Sequence, residues 1–357
     1  MHARPCRLAS SALPLLLASA LLVGCLPSSQ RELDRSLFPP DSLSRQIAAD
    51  APVDTLTFVR RVEAPPEAGL EYPTSFALTD DGIVVAATRR GALVHFDAEG
   101  GYARTVEGDF SFPFLAGTRG DTVAVLNRGT HRVDLVVGDR SVQQLEVPEA
   151  RNGNALLTEG GVFYKTAAEG EAAQLYQFDR GGTERARYGL DGPYWRHLGF
   201  LRPWGDSLLV LSGYRPVVDV LTPATLSGAT LDTLVLAGFD SPQLERSRLW
   251  AEGEVGEPPL LSPAAAALGD RLFVLNARPG WARVDVFRRD PGPGPARLLL
   301  ERALVQPDPV LDRSFLPVDL AVRRVDGGVE FIVLTTKPRP GLTFLRWTPG
   351  EPFASRP

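Results

Sequence analysis

Cysteine is almost missing from this chain. Its 357 residues hold only Cys6 and Cys25. Everything beyond residue 25 therefore has no thiol, which excludes a disulfide, a cysteine–metal site and a cysteine nucleophile there. Histidine is nearly as scarce, at positions 2, 95, 131 and 197. No two are spaced as a ligand pair, and no HExxH, GxSxG or P-loop pattern is present. His95 reads as a packed strand residue, His131 lies in a loop, and His197 follows Trp195-Arg196 at a junction between repeats. Lysine occurs twice against 36 arginines. No long amphipathic helical run appears either. The acids sit mostly in turns such as Asp81-Gly82, and the sequence places no acidic pair in proximity, so it gives no basis for general acid–base catalysis. The net charge of −5 becomes −7 once residues 1–24, with two Arg and no acid, are set aside. That balance argues against nucleic acid as a general partner.

What is present is turn chemistry and short apolar strands, with 34 Gly and 31 Pro. The clearest unit is 72–108. There Asp80-Asp81-Gly82 and Asp97-Ala98-Glu99-Gly100 are hairpin turns between strands. The run 83–87 is apolar throughout, as expected of a strand buried on both faces. Its relatives recur as VVAAT, VAVLN, VFYKT, LLVLS, LFVLN and FIVLT, ending at Thr88, Asn127, Thr166, Ser212, Asn276 and Thr335. Each is preceded by a Gly- or Asp-containing turn and followed by a third strand: LVHF, VDLVV, LYQF, VVDVL, VDVF and TFLRW. A small antiparallel sheet of this kind must stack on copies of itself.

The pattern predicts an all-β fold, a six-bladed β-propeller with four-stranded antiparallel blades over 53–350. The fragments HFDAEG at 95–100 and QFDRGG at 177–182 resemble NHL/TolB-like propellers, though units two, four, five and six lack that turn. The last unit supplies three strands, and 53–62 is an orphan strand at the other end. Placing it as the missing outer strand closes the ring and hides two sheet edges. Two insertions break the period. The first, 238–261, contains a short helix at 242–251 that starts after Ser241; the second, 288–297, is a Pro/Gly-rich hairpin loop.

The N-terminus reads as a targeting segment, with Arg4 and Arg7 before an apolar run at 8–23. Leu22-Val23-Gly24-Cys25 resembles the lipobox of bacterial lipoproteins. The resemblance implies removal of 1–24, lipidation of Cys25 and a cell-envelope location, with Leu26 favouring the outer membrane, facing the periplasm in a diderm host. Residues 25–52 form the tether, with a helical turn near 42–49, and 351–357 a C-terminal tail.

The loops after the second strand carry the functional hint. TRRG, NRGTHR, KTAAEGEAAQ, SGYRP, NARPGWAR and TKPRPG total +8, against −4 for the first inter-strand turns. One basic face would suit an anionic ligand, an acidic glycan or peptide, or an envelope protein. Arg89, Arg90, Arg128, Arg215 and Arg278 would carry the charge, with Tyr214 and Trp281 for stacking. Ordinary solvated loops are the competing reading. No cofactor is expected for a monomeric binding module of this kind. The alternative is a metal-dependent, lactonase-like hydrolase or lyase of the propeller class, with a divalent cation near Asn127 and Asn276. The plainer reading is that these residues cap strand ends.

Overall fold

The computed structural model describes residues 41–349 apart from 151, 169, 193, 223–231, 258, 279–281, 293–296, 307–315 and 338. The expected signal segment, Cys25, Trp281 and the tail at 351–357 lie outside the described residues. The chain is all-β, and every repeat contributes consecutive antiparallel strands. The first unit is Pro73–Leu78, Gly82–Ala87, Ala92–Asp97 and Tyr102–Glu107, paired in that order. Units two (113–146) and three (154–190) repeat it as separate four-stranded sheets. Units four and five share one larger sheet. There the outer strand Asp232–Ala237 pairs in parallel with Arg297–Val305, so two four-stranded runs meet edge to edge.

In units one, three and six the turn glycine is dictated by close approach. A Cβ at Gly82, Gly161 or Gly328 would lie 2.1, 2.0 or 2.3 Å from the carbonyl oxygen of Phe96, Phe178 or Trp347. Only glycine lets the second strand begin that near the third.

The continuous apolar second strands serve two cores at once. In Gly82–Ala87, Ile83 and Val85 pack with Ile332, Leu334 and Phe344 of the sixth unit. The alternate residues Val84 and Ala86 pack with Leu115, Val123 and Val125 of the second unit. The same period-two division recurs at each following junction: two with three, three with four, four with five, and five with six. The first strands of successive units also touch in order, and that of the sixth returns to that of the first.

The expected orphan strand 53–62 is two strands. Thr57–Glu63 pairs antiparallel with Gly341–Trp347, next to Gly328–Lys337 and Leu316–Val325 of unit six. Val53–Thr55 instead pairs in parallel with the outer strand of unit five. The break falls at Leu56, which is buried and donates its N–H to Val305 O at 2.8 Å. Its side chain belongs to the core between units five and six, and reaching it turns the chain from one sheet to the next.

The end of the expected tether is docked on this body. Helix α1, Asp41–Asp50, places Ile47 against the core of units four and five. Ser44 Oγ accepts the buried N–H of Gly238 at 3.0 Å. Ser44→Ala leaves that N–H unsatisfied, and is expected to cost about 1–2 kcal/mol. Urea unfolding of the variant with an unchanged m-value checks this. The insertion contains the expected short helix, α2, Leu244–Ala251, entered through Leu244 N–H to Ser241 O at 3.0 Å.

Candidate functional site

The second strands finish at one end of the sheets, and their ends open on one cavity of about 550 Å³. Arg128, 212–214, Thr336 and Lys337 line it from these ends. Tyr72, Phe114, Phe200, Leu260 and Leu316 line it from the segments that enter or begin the first strands. The walls are mainly apolar. Tyr72, Leu260 and Leu316 are also exposed, at 66%, 41% and 45%, and Phe112, two residues before the lining Phe114, is 60% exposed. Tyr72 and Phe112 hold φ of +48° and +50°, a left-handed backbone that costs a non-glycine residue about 1–2 kcal/mol. Each precedes a proline that opens a first strand, Pro73 or Pro113.

A polar partition lies beneath. Arg202 pairs with the buried carboxylate of Asp319. Asp319 also accepts the N–H groups of Phe76 at 3.1 Å and Leu320 at 2.8 Å. The guanidinium stands 5.0 Å from the Phe200 ring centroid, and Phe200 in turn lies 5.0 Å from Phe114. Burial raises the Asp319 pKa, and Arg202 opposes that rise. On the far side is a smaller cavity of about 260 Å³, lined by Arg202, Phe76 and Leu320 among others.

The predicted basic residues do not assemble as a set. Arg90 is paired with Glu107, and Arg278 with Asp240 at 2.9 Å. Arg215 is a correction to the expected exposed face. It is 2% exposed, donating to Ser247 O at 3.0 Å with its guanidinium 4.5 Å from the Trp250 centroid. The insertion helix α2 covers it. Arg89 is exposed and does not line the cavity. Arg128 and Tyr214 do line it. Arg128 donates from Nε to Gly153 O at 3.1 Å and from Nη2 to Asn154 Oδ1 at 3.3 Å, and stands 4.4 Å from the Phe114 centroid.

Asn127 and Asn276 are turned into the sheets. Asn127 Nδ2 donates to Asp134, and Asn276 Nδ2 donates to Asp285 at 3.1 Å and to Asp240 O at 2.7 Å. Arg132 and Arg283 complete the two matching triads through their Nε atoms. Burial pushes Asp285 up to about 6 despite Arg283. Among the described residues no three His, Cys, Asp or Glu side chains are grouped to hold a metal ion.

A second buried polar group separates units three and four. Lys165 is fully buried and donates to the carbonyls of His197 and Gly199. Asp219 pairs with Arg196 and lies 3.9 Å from His197 Nδ1. Burial lowers Lys165 to about 7, and burial with the Lys165 charge lowers His197 to about 4. The sequence reading passed over Asp134, Asp219 and Asp285. Their signal was an aspartate enclosed by apolar residues in VDLVV, VVDVL and VDVF. Lys165 carried a similar signal inside VFYKT.

No protein-family model and no curated protein sequence matches this chain. Solved structures match in fold. A catalytically inactive variant of virginiamycin B lyase from Staphylococcus aureus, bound to quinupristin, is similar with a TM-score of 0.52 and 10% identity. It covers 81% of this chain and 98% of its own. Regucalcin, a calcium-binding protein from Agrobacterium tumefaciens, is similar with a TM-score of 0.53 and 13% identity, over 84% and 96% of the two chains. These are β-propeller proteins, and likeness at such identity is one of fold alone. No helix among the described residues is long and apolar enough to cross a membrane.

Proposed function

We propose that the chain is a six-bladed propeller closed by its N-terminal strand, lipid-anchored through Cys25 at the cell envelope, and that it is a binding module. Its ligand occupies the 550 Å³ cavity. The observation that carries this reading is the apolar-walled cavity edged by exposed Tyr72, Leu260 and Leu316. Enclosed volumes of this size suit small ligands or one anchoring segment of a larger one. One edge residue, Tyr72, keeps an aromatic side chain at a left-handed position where glycine costs nothing. Such strain is retained where the side chain has work to do.

The test is a fluorescence titration with N-phenyl-1-naphthylamine, a neutral apolar probe. Saturable binding is expected. Tyr72→Gly should weaken it by about fivefold or more, through loss of aromatic contact area. Stability should stay within about 1 kcal/mol, because relief of strain offsets the freer unfolded chain. Failure of the probe to saturate, or indifference to both Tyr72→Gly and a cavity-filling Ser212→Trp, would remove the reading.

A further inference from the structure

We propose that the ligand of this cavity is an amphiphilic monocarboxylate, its apolar body against the walls and its carboxylate on Arg128. The proposal rests on the binding reading above and adds the chemistry of the ligand.

Arg128 lines an otherwise mainly apolar cavity, and among the described residues its hydrogen-bond partners include no carboxylate. Its two polar partners, Gly153 O and Asn154 Oδ1, are neutral acceptors. They orient the guanidinium without neutralising it, and leave the terminal edge of its fork for another acceptor. The Phe114 face beneath fixes the plane of that fork. Among the described residues no acid stands further back on the same wall. Asn154 Nδ2 donates to the carbonyls of Leu198 and Gly199, and the Lys165 ammonium stands behind Gly199 O. Asp219, the acid nearest that ammonium in effect, is already bound by Arg196 and Thr233. Burial draws the Arg128 guanidinium down only to about 10, so it is charged at neutral pH.

A fixed cation without a counter-ion, in apolar surroundings, selects a ligand that brings one. One guanidinium edge matches one planar carboxylate. A phosphate dianion would need a second partner near Arg128, and the other cation of the lining, Lys337, belongs to unit six and is exposed to water. A neutral lipid or alcohol would leave Arg128 desolvated and unpaired.

Matched competitors test this. Decanoate and decanol share a chain and differ in the head group, and each displaces N-phenyl-1-naphthylamine from the purified protein at pH 7. Decanoate is expected to compete about ten- to a hundredfold better, the range for a hydrogen bond to a charged group. Arg128→Met should bring the ratio to about one, with decanol unchanged. Arg128→Lys should keep part of the preference, and Arg89→Gln all of it. Should Arg128→Met fail to fold, the native ratio and Arg128→Lys still decide. A native ratio near one overturns the monocarboxylate and spares the cavity as a binding site. A preference that survives in Arg128→Met also overturns it. A probe that does not bind at all overturns both readings.

Discussion

Asp319→Ala is expected to lower the unfolding free energy by about 3–5 kcal/mol, the range for removing one partner of a buried ion pair. The carboxylate is fully buried and holds three groups: Arg202 from unit four, Phe76 N–H from unit one, and the N–H of Leu320 in its own strand. Alanine leaves Arg202 charged, because a guanidinium does not shed its proton in a protein. It also leaves the Phe76 and Leu320 amides without that acceptor. The Arg202 side chain keeps 18% exposure toward the smaller cavity, so entering water tempers the loss. Asp319→Asn, which retains an acceptor and gives up the charge, should cost about half as much. Chemical denaturation of the three proteins decides the matter. A loss below about 1 kcal/mol for alanine would mean that packing alone holds these first strands together.

The second large effect is one of pH. Lys165 has a folded-state pKa near 7 against 10.5 when exposed. Between those values the unfolded chain holds the proton and the folded chain does not. Stability therefore rises with pH through this window, by up to about 1.4 kcal/mol per unit. Below pH 7 both states are protonated, and the buried ammonium is a standing cost. His197 adds the same sign lower down: with a folded pKa near 4 against 6.5, it lowers stability as pH falls from 6.5 to 4. Asp285 opposes it there, since a folded pKa near 6 lets the folded state hold a proton that the unfolded chain has lost. The window above pH 7 is thus left to Lys165. Lys165→Met should abolish the rise, and the gap between variant and native protein should narrow steadily from pH 7 to 10. A native protein with no gain in stability across that window would show that the two carbonyls at Nζ keep the ammonium charged.

The repeat was legible because its determinants are local. Glycines at or just before the start of second strands recur for two local reasons: a carbonyl about 2 Å from where a Cβ would sit at Gly82, Gly161 and Gly328, and a left-handed backbone at Gly120, Gly205 and Gly269. Apolar runs of strand length follow from cores on both faces. The site was less legible. Loop arginines declare a charge but not its partner, and Glu107, Asp240 and Ser247 reach Arg90, Arg278 and Arg215 from elsewhere in the chain. Arg128 looks like its neighbours in sequence. It differs because unit three offers it Gly153 O and Asn154 Oδ1 rather than an acid. The buried aspartates are less legible because an acid within an apolar strand does not declare its partner: Arg132 and Arg283 sit two residues before Asp134 and Asp285, but Asp219 takes Arg196 from another segment.

The pairing of Thr57 with Arg346 joins the first described strands to the last across nearly the whole body. A chain that emerges from its N-terminus onward makes Thr57–Glu63 early and its partner Gly341–Trp347 very late. Until then the early strand has an unsatisfied edge, and the second strands of units one and six each lack half of their core. Assembly is therefore gated by the arrival of the final strand, and such long-range closure is slow. A protein with this layout depends on staying soluble while incomplete. An outer strand such as Glu184–Leu190, with Arg185 and Arg187 exposed, carries charge that opposes edge-to-edge association of such an incomplete chain.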